Sequence, residues 1–132
     1  MQEIFDKIVS AMVDQGEPSK ADGRCFYRLV SGNKILKCAV GQIISDEQIA
    51  RYDISEGSSV CGFSSPLFEE IISDAFTSEI RWLLAEFQSA HDEPVLDDKT
   101  FIEAFIERSN RIANLKGLTP YSGSGIVAQP SE

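Results

Sequence analysis

The hydrophobic pattern changes period between residues 24 and 40, and this change limits the fold more than any other feature. Before it, Ile4, Phe5, Ile8, Val9 and Met12 recur at helical spacing, with Glu3, Asp6 and Lys7 turned outward. The following "DQGEPSKADG" has no period and collects Gly, Pro, Asp and Ser, so it reads as a loop. Across "RCFYRLVSGNKILKCAV" the spacing becomes two, the period of a half-buried strand. With Gly32-Asn33 as a two-residue turn and Gly first, as type II′ geometry prefers, Leu29 faces Leu36, Tyr27 faces Cys38 and Cys25 faces Val40. Those six share one face. Arg24, Arg28 and Lys37 share the other with Phe26 and Ile35, which makes a basic strip with Arg28 opposite Lys37.

Helical spacing then returns. Ser45 before "DEQIARY", with Gln48 three residues on, is a capping box for a short helix. "EGSSVCGFSS" reads as loop with a short strand around Val60, and it contains Cys61. Ser65-Pro66 opens a helix whose Leu67, Phe68, Ile71, Ile72 and Ala75 share a face. Thr77 or Ser78 caps another, with Ile80, Leu83, Leu84 and Phe87 facing inward, His91 one turn later and an end before Pro94. The final helix places Phe101, Ile102, Phe105, Ile106, Ile112 and Ala113 on one face and stops at Lys116-Gly117. The sum is an α+β domain of about five helices packed with one β-hairpin or small antiparallel sheet. Residues 1–117 form a single globular domain, and 118–132 read as a flexible tail in which Tyr121, Ile126 and Val127 can dock.

A chain of 132 residues can bury a core without metals or disulfides, and no run approaches the roughly 18 apolar residues of a membrane span. Glu3, Asp6 and Asp14 interrupt the apolar N-terminus, unlike a secretory signal, which places the protein in the cytoplasm and off membranes. The net charge of −9 is uneven. Lys20 to Lys37 holds five bases against the one acid Asp22, whereas Glu69 to Glu107 holds eleven acids against Arg81 and Lys99. Such a surface disfavours direct nucleic-acid binding and suits a basic protein partner or mimicry of a phosphate backbone. Interaction candidates are the basic Arg24, Arg28 and Lys37, the acidic Glu69, Glu70, Asp74, Glu79 and Glu86, and Trp82, which lies off the apolar stripe beside Arg81.

Three cysteines in a reducing compartment do not form a disulfide framework. Cys25 and Cys38 lack the close-pair spacing of structural zinc ligands. In the inferred register they are diagonal, about 7–8 Å apart and too far to bridge. A turn moved to Ser31-Gly32 would set them opposite. They read first as core thiols, and second, with the only histidine, His91, as a Cys-His pair or metal corner. His91 itself reads first as a structural residue near a helix C-terminus. No phosphate loop, nucleophile elbow, H-E-x-x-H or dinucleotide motif is present, so no cofactor and no catalytic residue is assigned.

At "GRCFYR", "KCAVGQIISDE", "LLAEFQSAHD" and "RIANLKGL" the chain resembles a set of short uncharacterised phage and bacterial proteins. Their pattern is C-x-Y-R, then K-C-A-x-G running into "LIPDE", then L-Q-x-x-H-D and a closing Gly-Leu. The matching positions are Cys25, Tyr27, Arg28, Lys37, Cys38, Ala39, Gly41, Asp46, Glu47, Gln88, His91, Asp92, Gly117 and Leu118. Gln42 stands where such proteins often carry a further cysteine, which speaks against a cysteine-based metal site. The resemblance brings no established activity. It implies a phage-like context, in the host bacterial cytosol. There a small acidic domain without a recognisable active site reads first as an accessory protein that binds and inhibits a host protein, one with a basic or nucleic-acid-handling surface, including defence complexes such as CRISPR effectors. The alternatives are a metal- or thiol-dependent enzyme centred on Cys25, Cys38 and His91, and an oligomeric phage assembly accessory.

Overall fold

The computed structural model describes residues 2–21, 24–54, 78–95 and 98–121. The expected Val60 strand, Cys61, the helix over 66–75 with Glu69, Glu70 and Asp74, and the tail residues Ile126 and Val127 lie outside them. The described residues form an α+β fold of four α-helices and small antiparallel ribbons.

Helix α1 (Gln2–Gln15) buries Phe5, Ile8, Val9 and Met12, the stripe its spacing dictates. Helix α3 (Ser78–Asp92) turns Ile80, Leu83, Leu84, Phe87 and Ala90 toward it. Helix α4 (Phe101–Lys116) contributes Phe105, Ile106, Ile112 and Ala113. A line of rings ties the three together: Phe5 to Phe87 at 5.5 Å between centroids, Phe87 to Phe105 at 6.1 Å, and Phe105 to Phe101 at 5.8 Å. Each such pair adds about 0.5–1.5 kcal/mol beyond the area it buries. Helix α4 starts in a reciprocal Thr100–Glu103 capping box and stops at Gly117, whose φ of 68° is the left-handed conformation that a side chain resists. Residues 118–121 are held rather than loose: Leu118 and Tyr121 pack on the core. Thr119 and Gln2 exchange two hydrogen bonds, and so do Tyr121 and Asn110.

Strands β3 (Leu29–Ser31) and β4 (Lys34–Leu36) pair with Leu29 opposite Leu36, around Gly32 at φ 64°. The turn and its register are those the alternation dictates. The pairing stops there. Strand β2 (Arg24–Cys25) pairs instead with β1 (Lys20–Ala21), setting Cys25 opposite Lys20 rather than Val40. The continuous hairpin is therefore corrected to two short ribbons, because Val40–Ile43 winds into a 3₁₀ turn and cannot extend β4. Helix α2 (Asp46–Arg51) follows in the expected Ser45–Gln48 box.

Arg28 fastens this region. Its guanidinium donates to the carbonyls of Tyr27 and Gly41, each at 2.9 Å, to the carbonyl of Ile44, and at 2.6 Å to Asp46. Gly41 is what allows the approach, since a Cβ there would stand 2.8 Å from the Tyr27 carbonyl oxygen.

Candidate functional site

The β1–β2 ribbon and the last turn of α3 meet at Ser19, Cys25, His91 and Asp92. The helical period that buries Leu84 and Phe87 carries His91 to full burial one turn later, where its ring meets Phe101 edge-on at 5.6 Å. His91 Nε2 accepts the backbone N–H of Ser19 at 3.0 Å. That bond assigns the tautomer: the ring proton sits on Nδ1 and is donated to Asp92 Oδ1 at 2.8 Å.

Cys25 completes the group. Burial, and then a hydrogen bond to Asp92, push its thiol up from 9.0 to about 11, so at neutral pH it is a protonated donor to the carboxylate. Burial acts most strongly on Asp92 and works to raise it. The hydrogen bonds from His91 and Cys25 and the charge of Lys20 outweigh burial, and the carboxyl lies below its ordinary range. Donor atoms of Cys25, His91 and Asp92 all lie within 4.8 Å of one another.

The rest of the surround is satisfied. Lys20 Nζ donates to the Asp92 carbonyl at 2.7 Å, and Arg108 donates to the carbonyls of Ala90, Glu93 and Pro94, so the C-terminus of α3 is capped by two cations. The Ser19 hydroxyl donates to the Phe26 carbonyl at 2.7 Å and does not face Nε2. Ser19, His91 and Asp92 thus carry the residue types of a hydrolytic triad with a backbone amide where the nucleophile would stand.

The grouping revises the sequence expectation. Cys25 is partly exposed rather than core and lies at the cluster. Cys38 is core, as expected, with its Sγ accepting the Gly41 N–H at 3.3 Å; it does not join His91, and no disulfide links it to Cys25. Sequence reasoning gave Asp92 only as a position of the H-D pattern, outside the candidate site, and did not name Ser19. The His91-Asp92 pair at a helix end was the available signal for the first, and nothing in the sequence marks the amide of Ser19.

The interaction candidates fall on different surfaces. Arg28 is turned inward as the fastener described above, not outward beside Lys37. Lys37 is half-buried, its backbone N–H and carbonyl both held by Gln15. Arg24 is placed by its backbone alone. The outer face of the β3–β4 ribbon carries an apolar pair, Val30 and Ile35, 74% and 58% exposed. On α3, Glu79 is exposed and 3.7 Å from Lys116, whose ammonium lies 4.6 Å from the centre of the half-buried Trp82 ring. Glu86 lines a shallow groove of about 100 Å³ between α3 and α4, with Arg108, Arg111 and Leu115. Among the described residues, no helix is long and apolar enough to cross a membrane. Comparison with protein-family models, curated proteins and solved structures returns no match.

Proposed function

We propose that the protein acts by binding a macromolecular partner, as a small acidic accessory protein directed at a host protein with a basic or nucleic-acid-handling surface. The observation that carries this reading is the state of His91. Both nitrogens of the only imidazole are spent inside the fold and the ring is fully buried. A general base must reach the proton it abstracts, and this ring reaches only an amide and a carboxylate. The neighbouring thiol is held protonated and is a poor nucleophile. Neither His91 nor Cys25 is thus set up for acid–base or thiol catalysis. The charge imbalance of the sequence and the outward Glu79 beside Trp82 and Lys116 favour recognition.

The test is capture of partners from bacterial lysate on the immobilised protein at low and at high salt, with identification by mass spectrometry. A charge-reversed variant, Glu79→Lys with Glu86→Lys, runs in parallel. Screening shortens from about 10 Å at 0.1 M salt to about 3 Å at 1 M, so an electrostatically steered complex weakens with salt. Retention of a basic or nucleic-acid-binding protein that falls with salt and in the variant supports the reading. Retention indifferent to both overturns the acidic-surface part of it.

A further inference from the structure

We propose that Cys25, His91 and Asp92 form a site for a divalent ion of the zinc class, and that loading this site releases the Ser19 amide from the His91 ring. A thiol, an imidazole and a carboxylate whose donor atoms lie within 4.8 Å of one another make a borderline-soft set, with sulfur and nitrogen selecting zinc over magnesium or calcium. Three protein ligands leave a fourth tetrahedral position for water or an exogenous donor. The group borders solvent: the Asp92 side chain is 43% exposed and Cys25 is partly exposed, with the buried His91 ring beneath them. Phe101 packs edge-on against that ring and fixes its plane.

The proton account gives the site its second property. The nitrogen that faces the carboxylate is Nδ1, and the Ser19 N–H on Nε2 assigns the ring proton to it. An ion bound at Nδ1 takes that lone pair, the ring proton moves to Nε2, and the thiol proton of Cys25 passes to solvent. The imidazole stays neutral, one proton is released, and the ion gains a thiolate. Nε2–H then points at the Ser19 N–H from 3.0 Å, so two donors face each other where a hydrogen bond stood. The amide of Ser19 must turn from the ring, while the ribbon stays on α3 through Cys25, which pairs with Lys20 across it. Ion binding and the Ser19–His91 hydrogen bond are therefore alternatives. The inference turns on the same His91 ring as the partner-binding reading, and metal titration tests it separately from the salt-dependent capture of a partner.

The experiment titrates the reduced full-length protein with Co²⁺, followed by thiolate-to-cobalt charge-transfer absorption, with Zn²⁺ as competitor. One equivalent is expected to give the band and Zn²⁺ to remove it. Cys25→Ser is expected to abolish the band while far-UV circular dichroism stays native. Asp92→Asn is expected to weaken binding at least about tenfold, the scale on which even outer partners of metal ligands act. Amide exchange of Ser19 in the wild-type protein, which needs no variant, is expected to quicken on Zn²⁺ loading. Absence of the thiolate band, or its survival in Cys25→Ser, overturns the site. A loaded protein whose Ser19 amide stays as protected as before overturns the coupling.

Discussion

Replacing His91 with Phe separates what the ring does by its shape from what it does by its nitrogens. The substitution keeps a planar ring at a fully buried position and preserves the contact with Phe101. Two hydrogen bonds disappear. Ser19 is fully buried, so its N–H loses its partner with no water to replace it, at a cost of about 1–3 kcal/mol. Asp92 fares better, because it is 43% exposed and keeps Cys25 as a donor, and the loss of Nδ1–H costs it about 0.5–1 kcal/mol. The sum is about 1.5–4 kcal/mol. At about 4 °C per kcal/mol for a chain of this length, the melting temperature falls by about 6–16 °C. Urea denaturation at neutral pH, followed by far-UV circular dichroism, should show the midpoint shifted and the slope unchanged. Native-state exchange should quicken at the Ser19 amide more than at the core amide of Phe87. A His91→Phe protein as stable as the wild type would show that the Ser19 and Asp92 bonds contribute nothing and that His91 is packing alone.

Three further outcomes follow from the geometry. Gly41→Ala sets a Cβ 2.8 Å from a backbone oxygen that also accepts Arg28 Nη1, and is expected to destabilise by about 1–3 kcal/mol in the same denaturation assay; a neutral result would mean the Arg28 fastener moves freely. Cys25, with its thiol raised from 9.0 to about 11, should react with iodoacetamide at about pH 8 on the order of a hundredfold more slowly than an unstructured cysteine, read by mass spectrometry of the modified peptide. Asp46, lowered by its hydrogen bond to Arg28, and Glu103, lowered by hydrogen bonds from Thr100, bind protons more weakly in the fold than in the unfolded chain. Their contribution is present above the ordinary carboxylate range and lost as pH falls through the lowered values. Thermal stability should therefore decline as pH drops below 4.5, and Asp46→Asn with Glu103→Gln should flatten that decline.

What the sequence disclosed depended on how local the determining interaction is. The three long helices are legible because a periodic stripe is a property of one segment, and Phe5, Ile8, Val9 and Met12 are buried as their spacing requires. The capping box at Ser45 is closed within four residues, and the Gly32-Asn33 turn within two. The extent of the ribbon was not legible. Alternation continues through Lys37 and Cys38, but the chain turns at Ala39, where the carbonyls of Gly41 and Ile44 are drawn to Arg28. The β1–β2 pairing was missed although Asp22-Gly23, a strong hairpin dipeptide, stands between the paired Ala21 and Arg24; two pairs flank it, too few to show a period. The cluster was half legible. His91 and a cysteine were named for it, but which cysteine depends on a contact between residues 66 positions apart, and the deciding bond comes from an amide that every residue but proline owns.

The reciprocal hydrogen bonds between Gln2 and Thr119 give the molecule a seam. Residues 117 apart in sequence are neighbours in space there, so the start of α1 and the exit from α4 are joined by two bonds. Force applied through the two sides of the seam meets this exposed pair first, before it reaches the stacked rings of Phe5, Phe87 and Phe105.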